Sequence, residues 1–133
     1  MLGYQDMLED AFGAEAKMGG ILFAQLFKND KMISEVTRED IDKYSHQAIN
    51  YERRIKEISL LFRGSIYFGL VSGPFNPLGY YDKLKMAETD TFFLVEPDDR
   101  YIVSVVHPEG ISPLSYAKKA KEIEGKIRST KMQ

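Results

Sequence analysis

Apolar positions at the start of the chain recur at helical spacing. Tyr4, Met7, Leu8, Ala11 and Phe12 share one side, while Asp6, Glu9 and Asp10 fill the other. This predicts a short amphipathic helix with Gly13 as its stop. Past Gly19-Gly20 the pattern becomes an almost unbroken apolar run, Ile21 to Phe27, with Gln25 inside it. Such a run suits a central strand covered on both sides better than a strand with one wet face. Lys28-Asn29-Asp30-Lys31 has turn chemistry and leads into Met32 to Val36, so the two segments read as a hairpin.

Thr37 followed by Asp40 resembles a capping box, and Ile41, Tyr44, Ala48, Tyr51, Ile55 and Ile58 then step by three and four residues. A second helix of about 20 residues is predicted there. Leu60 to Phe62 and Ile66 to Val71 flank Arg63-Gly64-Ser65 as a second hairpin, and the Gly- and Pro-rich stretch 72–79 reads as a surface loop. Tyr80 to Ala87 is a ragged strand. Thr91 to Glu96 and Tyr101 to His107 are clearer strands, joined by a turn at Pro97-Asp98-Asp99-Arg100. Ser112-Pro113 then caps a closing helix whose Tyr116, Ala120, Ile123 and Ile127 face one way. The order is helix, hairpin, helix, three or more antiparallel strands, helix. It contains no repeat, linker or low-complexity tract.

Composition narrows the chemistry. A chain of 133 residues is the size of one domain, 1–133. It should expose roughly 7,000 Å² folded against roughly 22,000 Å² unfolded, enough burial for a core without staples. With no cysteine, disulfides, thiolate metal sites and cysteine nucleophiles are excluded, and a reducing compartment is in keeping. Eighteen basic against twenty acidic residues give a net charge of −2, which lacks the basic field of a nucleic-acid binder. No apolar run approaches the ~20 residues of a membrane span, and no cleavable leader pattern stands at the N-terminus. The expectation is a soluble cytoplasmic protein.

No constellation in the sequence points to an enzyme, a cofactor or a metal. His46 and His107 stand in no metal-ligand spacing, and both read as structural or exposed. There is no phosphate-binding glycine loop; Gly19-Gly20 reads as the start of a strand. Asp98-Asp99 reads as a turn rather than a cation site. A Ser, a His and an Asp picked from a chain of this length carry no weight without geometry.

The placement of charge says more than its sum. Residues 1–15 carry Asp6, Glu9, Asp10 and Glu15 and no base. Residues 113–133 carry Lys118, Lys119, Lys121, Lys126, Arg128 and Lys131 against Glu122 and Glu124. Either the two terminal helices lie side by side and complement each other, or the basic helix meets an acidic partner or anionic phospholipid head groups.

The order of elements and the last third of the chain resemble profilin, the family of small actin-monomer-binding proteins. The run YIVSVVHPEGISPLSYAKKAKEIEGKI (101–127) carries the likeness: a final hydrophobic strand, a Glu-Gly connection, a capped start and a Lys/Glu-bearing helix. LLFRGSIYFGLVSG (60–73) is similar to the family's hairpin, and YQDMLEDAF to its opening helix. The form is compact and divergent, as in archaeal-type profilins. The Roadblock family shares the same element order, with sheet-edge dimers acting on small GTPases or motors as the alternative function.

The resemblance implies an α+β fold, with a central antiparallel sheet, the N- and C-terminal helices on one face and the long helix on the other. It further implies a monomeric, cytoskeleton-associated, non-catalytic protein that binds actin or an actin-like monomer. Its actin-binding residues would be Lys118 and Glu122, of the family's type, with Ser112, Leu114 and Lys121 at contact positions of changed identity. Phe68, Leu70 and Phe93 would be their counterparts on the strands. Spacing alone puts Lys118, Lys121, Glu122 and Gly125 on one helix face, roughly opposite Ala120, Ile123 and Ile127. The family's polyproline ligands dock on aromatic side chains of the first and last helices. Here that platform is reduced to Tyr4, with Phe12 the other aromatic of the first helix, no Trp, and no His or Tyr in the closing residues. The departure counts against proline-rich partners.

Overall fold

The computed structural model describes residues 3–38, 69–74, 87–94 and 99–131, with residues 69–74, 93, 113, 114, 130 and 131 described by their backbone alone. The predicted helix beyond Thr37, the 60–68 part of the second hairpin, His46 and Asp98 lie outside the described residues. Helix α1 spans Tyr4–Lys17 and buries Met7, Leu8, Ala11, Phe12 and Ala16. It therefore runs through Gly13, the predicted stop. The reason lies six residues further on. Gly19, at φ 78°, ends the helix in a left-handed turn. There the Gly19 N–H donates to Ala16 O at 3.2 Å and the Gly20 N–H to Glu15 O at 2.8 Å. The glycine pair is thus a helix terminator before it is the approach to a strand.

Strands β1 (Phe23–Lys28) and β2 (Lys31–Thr37) form the expected hairpin. Its two-residue turn places Asn29 at φ 50° and Asp30 at φ 71°, a conformation these short polar residues tolerate. Strand β3 is Gly69–Pro74, β4 is Ala87–Leu94 and β5 is Tyr101–Pro108. Two predicted boundaries change. Ser72, Gly73 and Pro74, expected in a loop, are the end of β3 and pair with Asp90, Thr89 and Glu88. Pro lacks a backbone donor, so it is tolerated at a strand end on the border of a sheet. Likewise β4 begins at Ala87 rather than Thr91, because Glu88, Thr89 and Asp90 pair with β3 on one side and β5 on the other.

All pairings are antiparallel, in the order β2-β1-β5-β4-β3. Every residue from Ile21 to Phe27 and from Tyr101 to His107 is buried, so β1 and β5 are covered on both faces, as the unbroken apolar run predicted. After a 3-10 turn at Pro113–Tyr116, helix α2 (Ala117–Lys131) closes the described chain. One core cluster joins Met7, Leu8 and Phe12 of α1, Ala120, Ile123 and Ile127 of α2, and Leu26, Phe92 and Val103 of the sheet. The two helices thus share one sheet face, and the fold is α+β with an antiparallel sheet.

The border strand β2 is capped by a side chain. Gln5 Nε2 donates to Glu35 O at 2.8 Å and the Glu35 N–H donates to Gln5 Oε1 at 3.3 Å. The amide imitates one residue of a neighbouring strand and satisfies both backbone groups.

Candidate functional site

Helix α2 divides its residues by direction. Tyr116, just before it, and Ala120, Ile123 and Ile127 turn inward and are at most 4 % exposed. Lys118, Lys121, Glu122 and Gly125 lie on the exposed side, as the spacing predicted. The lysines between these faces reach sideways. Lys119 Nζ donates to Ala11 O at 2.9 Å and stands 3.8 Å from Glu15, while Lys126 Nζ is 3.5 Å from Asp10. The side-by-side reading of the charge pattern therefore holds for two of these lysines. Lys119 and Lys126 complement the acidic α1, and Lys118 and Lys121 are left on the outer face with Glu122.

Ser112 is exposed beside the 3-10 turn, and Leu114 lies within that turn. Phe68 lies outside the described residues. Leu70 pairs in register with Phe92, and Phe93 with Gly69 and Ile102. These are successive rungs of one ladder, and successive rungs belong to opposite faces of a pleated sheet. The structure thus groups Lys118, Lys121 and Glu122, with Ser112 near the base of their helix, and places the strand candidates on two different rungs.

Tyr4 is half-buried. Its hydroxyl lies 2.8 Å from that of Tyr101, the ring centroids are 5.9 Å apart, and Lys28 Nζ stands 5.8 Å from each ring. Phe12 is fully buried, 6.1 Å from the Tyr116 ring. Of the two first-helix aromatics, only Tyr4 keeps any accessible surface.

His107, read from the sequence as structural or exposed, is buried beneath the 3-10 turn with Asp90, which the sequence did not single out. His107 and Asp90 are both completely buried, and His107 Nε2 is 2.7 Å from Asp90 Oδ2. His107 Nδ1 lies 2.8 Å from Pro108 O, and the Tyr116 ring is 5.3 Å away. Burial works to lower the His107 pKa; the Asp90 hydrogen bond, the Pro108 carbonyl and the charges of Asp90 and Glu88 outweigh it, and the net shift is upward. Burial, with Glu15 and Asp90 nearby, pushes Tyr116 up to about 12, so its hydroxyl stays a donor, directed at Gly20 O at 3.4 Å. A signal was available in the sequence: Asp90 and His107 alternate with Phe92, Val103 and Val105 on the face that the periodicity assigns to the core.

Among the described residues no group of three or more His, Asp or Glu side chains is placed to hold a metal ion, and no helix is long and apolar enough to cross a membrane. No family model matches the chain, and no curated protein matches it.

Proposed function

We propose that this protein is a profilin-like, non-catalytic binding protein that holds a monomer of actin or of an actin-like protein in the cytoplasm. In the full profilin-like arrangement the long central helix covers the sheet face opposite α1 and α2. The observation that carries the reading is the outer face of α2. Lys118, Lys121 and Glu122 are exposed together, while the inner stripe and the flanking Lys119 and Lys126 are committed to the fold. A rigid helix held from behind by Ala120, Ile123 and Ile127 presents a charged patch at little cost in ordering.

The mechanism is occupancy. A standard interface covers ~800 Å² on each partner, and one helix face with neighbouring strand residues can supply it. A monomer surface so covered cannot add to a filament at that end. Reversing the patch with Lys118→Glu and Glu122→Lys weakens monomer binding by calorimetry and abolishes the effect on polymerisation, with the circular-dichroism spectrum unchanged. Unchanged affinity in the folded variant refutes this site. A stable dimer in solution without effect on actin assembly points instead to the Roadblock-type function.

A further inference from the structure

Both ring nitrogens of His107 face acceptors. Nε2 points at the Asp90 carboxylate and Nδ1 at the Pro108 carbonyl, at 2.7 and 2.8 Å. A neutral imidazole has one N–H, so either tautomer would press a lone pair against an oxygen; the imidazolium satisfies both. The ring is wholly buried, so no water can replace a lost partner without opening the structure. The lid is Tyr116, whose ring lies 5.3 Å from the His107 ring at a tilt of 42° and whose hydroxyl donates to Gly20 O, tying β5, the α1 exit and the 3-10 turn before α2 together.

We propose that His107 and Asp90 form a proton-operated latch on the first turn of α2. With two N–H groups, His107 holds Asp90 and Pro108, and Tyr116 seats on the ring. Release of one proton to solvent base leaves a neutral ring beside the Asp90 carboxylate and a lone pair facing an oxygen. The turn from Pro113 to Ala120 then loosens. Among the described residues, the charged or titratable groups around the latch are Asp90 and Glu88 on β4, Tyr116 on the 3-10 turn and Glu15 at the end of α1, itself paired with Lys119 of α2. The negative charges favour the imidazolium. Because the folded value lies above the ordinary 6.5, the stabilisation is complete below about pH 6.5 and is lost as pH rises through the folded value. Alkaline conditions therefore loosen the start of α2, while Ile123 and Ile127 stay in the core.

The test is a pH titration of the whole protein by NMR, following the ring nitrogens and the α2 backbone amides. The chain has two histidines, and a His46→Gln variant assigns their signals. At about pH 6 the His107 ring carries hydrogens on both nitrogens, and its midpoint lies above the ordinary value. The amides from Ala117 to Ala120 shift with the same midpoint, and their exchange protection falls about tenfold for each pH unit between the unfolded and folded values. In His107→Gln the coupled step in the α2 amides disappears. Should that variant not fold, the wild-type titration decides alone. A single ring N–H at about pH 6, a midpoint at or below the ordinary value, or α2 amides that ignore the His107 midpoint each overturn the latch.

Discussion

Across β1, β5 and β4 one rung of the helix-side layer is Leu26, Val103 and Phe92, all fully buried. A few residues along the same face the layer becomes Asp90 and His107, just as deeply buried. The first region is held by removal of apolar surface from water, which is indifferent to pH and tolerant of shape. The second is held by a charge pair whose members must both be present and correctly protonated. Equal burial thus conceals two kinds of stability.

Substitution separates them. Asp90→Ala removes the carboxylate that holds the imidazolium in the core and costs about 3–5 kcal/mol near pH 6. Leu26→Ala removes buried methyl groups for about 2–5 kcal/mol. Urea denaturation at two pH values distinguishes the causes. The Leu26→Ala loss is the same across the titration, whereas the Asp90→Ala loss shrinks as pH rises through the folded His107 value, which lies above the ordinary one. An Asp90→Ala loss that does not change with pH would show the two regions to be alike.

The apolar region was legible in the sequence because periodicity reports apolar side chains. Met7, Leu8 and Phe12 of α1, the run Ile21 to Phe27 and the α2 stripe Tyr116, Ala120, Ile123 and Ile127 were all placed by spacing, and all are buried. The polar region was not. Asp90 was left before a strand predicted from Thr91, and His107 read as a polar strand end, because a buried ion pair joins residues 17 apart and leaves no local pattern. Gly13 misled for a related reason. Helix ends are fixed by which residue takes the left-handed turn, and Gly19 competed successfully, with the Gly19 and Gly20 N–H groups each donating back to the last helical turn. The outer face of α2 was legible from spacing alone, but which lysines it keeps was not, since Lys119 and Lys126 are claimed by α1.

A half-buried ion pair sharpens the contrast. Arg100 joins the turn before β5 to the β1–β2 turn, with Nη2 at 2.8 Å and Nε at 3.1 Å from the two carboxylate oxygens of Asp30. Asn29 adds a backbone bond to Arg100 O at 2.7 Å and accepts from the Arg100 N–H at 3.0 Å. The Arg100 side chain is 37 % exposed and the Asp30 side chain 14 %. A double-mutant cycle with Arg100→Ala and Asp30→Ala should give a coupling of about 0.5–1 kcal/mol. Added salt weakens it, as expected for a pair within reach of mobile ions, while the His107–Asp90 coupling persists. A salt-insensitive Arg100–Asp30 coupling would erase that distinction.

The smallest effect on stability separates fold from function along α2 itself. Lys126 stands 3.5 Å from Asp10, whose side chain is 58 % exposed, so Lys126→Ala costs only about 0.2–0.5 kcal/mol, measured by thermal melting in low salt. Lys118→Ala, on the exposed face, changes melting no more than a neutral surface substitution, within about 0.5 kcal/mol. The two variants remove the same charge from one helix, two turns apart, and differ in what that charge faces. If the outer face is the monomer-binding surface, Lys118→Ala lowers affinity for actin and Lys126→Ala leaves it unchanged. Equal losses of affinity would mean that binding responds to the helix's overall positive charge rather than to a defined face. The division of its lysines between α1 and a partner would then not hold.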